Sequence, residues 1–296
     1  AGMFDGERHL ASAAHGIAFG AGDDVGSNGW VAAGSRTVSG KPLLANDPHL
    51  GLSTPSLWYF AALSAPGLEV IGATLPGVPG VLIGHNDRVA WGFTNTGVDQ
   101  QDLYIERVNP DNADEYVTPE GWASFAQRTE IIRVRGQADV ELAVRETRHG
   151  PVMSGLVATD RALAHPKFVL ALRWSALEPD DTSFAAIRAL NKARSADEAE
   201  AALGQFQLVT QSAMFADVDG QIAMVVTGRI PVRRPDNDLQ GIAPAPGWDA
   251  RYDWSGYLPF EQVPRVRNPA SGLIVTANNR IVGPEYPHHP TFDWFL

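Results

Sequence analysis

From Trp30 onward the chain is cut into short apolar and β-branched runs, nearly all closed by Gly, Pro, Asn or Asp, and this punctuation limits the possible folds most. The runs fall at 30–33, 43–45, 58–63, 68–74, 81–83, 89–94, 103–108, 131–134, 140–146, 168–174, 213–216, 221–227 and 273–277. Such lengths suit strands, and short polar turns suit antiparallel neighbours. Three hairpins are predicted: 30–33 with 43–45 across the polar 35–41 turn, 131–134 with 140–146, and 213–216 with 221–227 across Asp217-Val218-Asp219-Gly220. The period changes only once. Asp181-Thr182-Ser183 reads as a cap for a helix over 184–191, and Ser195-Ala196-Asp197-Glu198 matches the capping box of a second helix, 196–205. A proline-rich loop covers 231–246. Turns and tryptophans recur at no constant spacing, which argues against a propeller. The pattern predicts large packed antiparallel sheets with a few covering helices, an α+β chain.

A length of 296 residues allows one large domain or two ordinary ones, and 44% hydrophobic with 19% charged residues is a globular composition. The formal net charge of -11 argues against a nucleic-acid or anionic-membrane partner. Arg229, Arg233 and Arg234 read as a solvated strand edge. Without cysteine, disulfides, thiolate zinc sites and thiol nucleophiles are excluded. Residues 1–26, rich in Gly, Ala and Asp, read as a linker, and the first residues lack the basic-then-apolar order of a signal peptide. The most apolar stretch, 70–84, is broken by Pro76, Pro79 and several glycines, so no membrane span is expected.

Four polar groupings stand out: Ser27-Asn28, Asn46-Asp47-Pro48-His49, the stretch from Gly84-His85-Asn86 to Asp102, and Thr276-Ala277-Asn278-Asn279-Arg280. Singly, each is ordinary turn chemistry. In order, they resemble a family. Ser27-Asn28-Gly29-Trp30, Asn46-Asp47-Pro48-His49, Pro76-Gly77-Val78-Pro79-Gly80, Gly84-His85-Asn86 and Trp91-Gly92-x-Thr94 are similar to the start of the β subunit of penicillin acylases, in the N-terminal-nucleophile hydrolase superfamily. Arg148-His149-Gly150-Pro151-Val152, Ala216-Asp217-Val218-Asp219-Gly220, Leu258-Pro259-Phe260 and Asn278-Asn279 continue the likeness to the end of the chain.

The resemblance implies an αββα sandwich of two mainly antiparallel sheets, with 1–26 as the end of a cleavable spacer and 27–296 as the first part of the catalytic β subunit. It implies hydrolysis of a linear amide of an N-acyl compound through a Ser27 acyl-enzyme. The base would be the α-amine of Ser27, whose ordinary pKa of about 7.7 to 8.0 suits that work, and the amine exists only once the Gly26–Ser27 bond is cut. The backbone N–H of Asn95 and the side-chain amide of Asn278 would hold the oxyanion, and His49 would orient Ser27 or its water. Leu50, Leu52, Trp58, Phe93 and Val98 would line the acyl pocket, with plain core as the other reading of each. Asp99, Gln101 and Asp102 match a structural calcium (Ca2+) loop, with further ligands from another subunit or from the loop near Gly241. The implied partners are a small N-acylated amide substrate and the α subunit of the same precursor; the implied compartment is the periplasm or the medium. Two alternatives stay open: an unprocessed or noncatalytic homologue, and a β-rich carbohydrate-binding module with tryptophans exposed on one surface.

Overall fold

Alternating segments closed by turns become strands, and the structure, a computed structural model, describes them over residues 26–51, 53–154 and 167–288. In chain order they are β1 (Gly26–Ala32), β2 (Leu43–His49), β3 (Tyr59–Ala65), β4 (Leu68–Thr74), β5 (Ile83–Asn86), β6 (Val89–Asn95), β7 (Gln101–Arg107), β8 (Glu115–Thr118), β9 (Gly121–Ser124), β10 (Ala126–Ile132), β11 (Val140–Thr147), β12 (Gly150–Pro151) and β13 (Phe168–Trp174). After helices α1 (Ser183–Lys192) and α2 (Ala196–Leu203) follow β14 (Gln211–Asp217), β15 (Ile222–Val226), β16 (Pro231–Arg233), β17 (Ala245–Pro246), β18 (Trp254–Tyr257), β19 (Arg265–Arg267) and β20 (Leu273–Thr276). Two units form: Ala1–Val98 with Pro179–Ile230 and Leu258–Leu296, and Asp99–Glu178 with Pro231–Tyr257. The expected spacer lies outside the described residues up to position 25.

In the first unit a three-stranded sheet, β2-β1-β20, packs on a seven-stranded one, β19-β15-β14-β6-β5-β4-β3. All pairings in both are antiparallel. Val31, Met214, Ala216, Ile222, Met224 and Ile274 form the core that joins these sheets. Because side chains alternate across a strand, Ala213 and Phe215 of β14 face away from Met214, to the side on which α2 packs. There Ala186, Ile187 and Phe206 close a second core with Val78 and Leu82. The described layers therefore run helices, seven strands, three strands. Gly29 makes room for the facing sheet: a Cβ there would lie 1.9 Å from Met214 Cε.

Both helices start where expected. The Ser195 hydroxyl accepts the Glu198 N–H, while the Glu198 carboxylate accepts the Arg194 N–H. At α1 the Thr182 side chain makes no cap bond; Asp181 accepts from the Ser183 N–H instead. The strand expected at 81–83 begins only at Ile83, because Asn191 of α1 occupies the backbone of Val81, donating to its carbonyl at 2.7 Å and accepting its N–H at 2.8 Å. β8 and β9, four residues each, were not foreseen, and the proline-rich 231–246 loop holds β16 and β17.

The second unit is built on β13-β7-β17, with β17 parallel to β7, and on β10-β11-β12. Tyr104, Ala171, Ala245 and Tyr252 form one of its cores. Charges are buried beside it. His149 lies 2.7 Å from Glu106 through Nδ1 and 3.0 Å from Asp253 through Nε2, and its ring stacks on Tyr104 at 3.6 Å. Arg148 donates two bonds of 2.8 Å to Asp253. Burial works against the charge on Asp253, but the bonds and positive charge of His149 and Arg148 outweigh it and hold the carboxyl down at about 2.

Two expectations follow from this packing. Met214→Ala empties the junction of the two sheets and should lower stability by about 2–5 kcal/mol in urea unfolding. A carboxyl held below its unfolded value adds stability above that value and loses it as pH falls towards the folded one, here about 2 kcal/mol. The stability difference between wild type and Asp253→Asn should therefore shrink as pH drops from about 4 to about 2.

Candidate active site

β20 pairs with β1 only from Gly29, which lies opposite Thr276. Continued, that register would set Ser27 against Asn278. Instead Asn278 takes φ 60°, a left-handed conformation that Asn tolerates better than most residues, and its side chain rather than its backbone meets Ser27. The Ser27 N–H donates to Asn278 Oδ1. Asn278 Nδ2 donates to the Asn95 carbonyl at 2.8 Å. Three of the four expected catalytic residues thus join in one line of hydrogen bonds. Behind them the buried hydroxyls of Thr94 and Thr276, 3.0 Å apart, tie β6 to β20. Asn95 ends its strand in a turn, its Oδ1 accepting the Gly97 N–H at 3.1 Å. Ladder alternation puts the N–H of Asn95 on the same edge of β6 as the carbonyl that meets Asn278.

His49 departs from expectation. Its backbone lies opposite Gly26, but its Nε2 sits 3.0 Å from Asp47 Oδ2, and the two side chains are 52% and 65% exposed. Residues two apart on a strand share a face, so His49 meets Asp47 before it can meet Ser27. As placed, with Gly26 still attached, the imidazole makes its ion pair with Asp47. Among the acyl-pocket candidates, Leu52 lies outside the described residues, and Leu50, Trp58 and Val98 are half-buried. The indole N–H of Trp58 is buried without a partner. Phe93 stacks on Phe206 at 6.0 Å. A depression of about 710 Å³ beside the β3–β4 turn, lined by Ser64, Gly67, Glu69, Asn86 and Arg194, contains none of the candidate residues. Trp30 and Trp122, the two exposed tryptophans among the described residues, lie in different units, so neither unit presents the row of rings that a stacking platform needs.

The calcium expectation meets a different chemistry. Asp102 is buried, and Arg233 donates to it from Nη2 at 2.6 Å and Nε at 3.0 Å. The Trp254 indole donates to the same carboxylate at 2.6 Å. Burial opposes the charge of Arg233, yet the bond to Asp102 keeps its pKa raised. Gln101 is exposed, and among the described residues no group of three or more His, Asp or Glu side chains is arranged so that it could hold a metal ion. With a guanidinium and an indole on its oxygens, Asp102 as placed does not fit a calcium ion, which needs six to eight free oxygen ligands. The arginine cluster is accordingly corrected: Arg233 is no solvated edge, its side chain being 2% exposed, and Arg229 reaches Asp180 at 2.7 Å with its side chain 13% exposed. Only Arg234 is open to solvent. The available signal was Asp102 standing at an inward position of the alternating β7.

A sequence model of the penicillin amidase family matches residues 4–296. The chain is 33% identical over 274 residues to the acyl-homoserine lactone acylase QuiP of Pseudomonas aeruginosa, covering 91% of this chain and 32% of that protein. It is 36% identical over 265 residues to the penicillin acylase 2 proenzyme of Pseudomonas sp. SE83, covering 89% and 33%. The solved thermostable penicillin G acylase of Alcaligenes faecalis superposes with a TM-score of 0.77 at 32% identity, over 90% of this chain and 46% of that one. The chain therefore spans about a third of the length of the relatives it matches. Arg233→Ala, which strands a buried carboxylate, should destabilise the protein by about 3–5 kcal/mol in chemical denaturation.

Proposed function

This chain belongs to the penicillin amidase family, and from that premise we propose that it is the nucleophile-bearing part of an amide hydrolase whose serine is Ser27. The observation that carries the reading is the line from the Ser27 N–H through the Asn278 amide to the Asn95 carbonyl, which brings together the three residues whose Oγ, side-chain amide and backbone N–H such a reaction uses.

The reading runs in two stages. In the precursor, Ser27 Oγ attacks the carbonyl carbon of Gly26; the C–N bond breaks, the nitrogen takes the proton, and water hydrolyses the ester to leave a Gly26 carboxylate and a free Ser27 amine. Glycine at position 26 leaves that carbonyl without a side chain to shield it. In the mature form the amine accepts the Oγ proton, directly or through water, as Oγ attacks the substrate amide carbon. The tetrahedral oxyanion is held by the Asn95 N–H and the Asn278 Nδ2, which must then exchange its bond to the Asn95 carbonyl for one to the oxyanion. The proton passes to the leaving amine, and water releases the acid from the ester.

The names of the relatives support an N-acyl amide as substrate class, the amine being attached to a lactone or a β-lactam. The proenzyme in one of those names supports a precursor whose α subunit completes the site. Export to the periplasm or the medium belongs to the same reading; no helix among the described residues is long and apolar enough to cross a membrane.

Intact mass and N-terminal sequencing of the full-length protein, as wild type and as Ser27→Ala, test the first stage. A cut before position 27 in wild type alone is expected; a cut in both, or in neither, overturns self-processing. Processed wild type should release amine from an aryl-acetyl or long-chain acyl anilide, and the processed enzyme's failure on the whole panel would sink the hydrolase reading.

A further inference from the structure

Asn46, in the middle of β2, makes three bonds with one side chain. Its Nδ2 donates to the Asn28 carbonyl at 3.0 Å and to the Phe93 carbonyl at 2.9 Å, and its Oδ1 accepts the Phe93 N–H at 3.0 Å. The amide therefore pairs with Phe93 as a neighbouring strand would. A strand partner is lacking there: β5 pairs with β6 only at Ala90 and Trp91. Two residues further along the same edge of β6, Asn278 takes the Asn95 carbonyl.

Each of the two amides also reaches β1, Asn46 at Asn28 and Asn278 at Ser27. The strand with the proposed nucleophile and the strand with the proposed oxyanion donor belong to different sheets, and these side chains cross from one sheet to the other. Gly92 makes the room for the first crossing, since a Cβ at Gly92 would lie 2.7 Å from Asn46 Cβ and 2.8 Å from its Cγ and Oδ1. Only a side chain with both an N–H donor and a carbonyl acceptor satisfies all three partners; aspartate has Asn46's shape but no N–H.

We propose that Asn46 is a positioning residue for the amide hydrolysis, setting the separation of Ser27 from the Asn95 N–H without touching the reacting atoms. The inference rests on the function proposed above. Misplacement by about an ångström can cost about 100-fold in rate, so Asn46→Asp should lower kcat by about 10- to 100-fold with KM changed less than about twofold, and should slow the Gly26–Ser27 cut. The measurements are kcat and KM on an aryl-acetyl or long-chain acyl anilide, the rate of the cut by intact mass, and the thermal midpoint, for wild type, Ser27→Ala, Asn46→Asp and Gly92→Ala in the full-length protein. Gly92→Ala keeps the Asn46 amide but displaces it, and should reproduce the kcat loss. A wild-type kcat and cut rate in Asn46→Asp, with only the midpoint lowered, would overturn the proposal. If Asn46→Asp does not fold, Asn46→Ser, which leaves room for a bridging water, is judged by the same criteria; failure of both to fold assigns Asn46 to the fold and overturns it too. A Ser27→Ala protein as active as wild type removes the underlying function instead, and in that case the cut rate alone decides for Asn46.

Discussion

β1 has strand partners on both edges only from Gly29 onward; at Ser27 the bond that the second strand would make comes from the side chain of Asn278, while the carbonyl of Asn28, a residue paired with Asp47 of β2, also accepts from the Asn46 amide. A backbone partner would have taken the Ser27 N–H into a ladder, where each bond is reinforced by its neighbours. A side-chain amide satisfies the same N–H and keeps rotatable bonds of its own. On the proposed reading this difference matters, because Asn278 must serve an amide N–H before the cut and an oxyanion after it. The left-handed backbone of Asn278 is what turns a ladder position into a side-chain site.

The rest of the first unit keeps that end of β1 in place. Gly29 lets Met214 press against the strand, Val31 and Ile274 continue the contact, and the paired hydroxyls of Thr94 and Thr276 seal the layer beneath Asn278. These contacts are buried and close, so a shift of β6 relative to β1 would open a void or leave buried hydroxyls unbonded, each costing on the order of 1–3 kcal/mol.

The second unit solves another problem, how to bury charge. Asp102 is neutralised by Arg233, and Glu106 and Asp253 share His149, with Arg148 on the far side of Asp253. Buried pairs add little net stability over apolar packing, but breaking one leaves an uncompensated ion, so the partners are locked to one another. An arginine in this role answers the same electrostatic need on Asp102 as a metal cation would, with directional donors in place of free coordination.

Strand positions, both hairpins around the turns at 35–41 and 217–220, both helices and the resemblance of the ordered motifs were legible in the sequence, because alternation, turn residues and caps act over a few neighbours. Which polar residues would meet was less legible. Ser27, Asn95 and Asn278 were named together from motif order, and the fold joins them; His49 was named with them, and its strand neighbour Asp47 takes its side chain. Asn46 and Arg233 carried no local sign of their partners, since Phe93 and Asp102 reach them only through sheet packing and long-range pairing. The sequence by itself determined a strand-rich α+β chain with its candidate nucleophile at the head of a strand. Only the tertiary structure decided which side chain replaces a missing strand at that head, because that depends on where the strands stop pairing, a property no local stretch encodes.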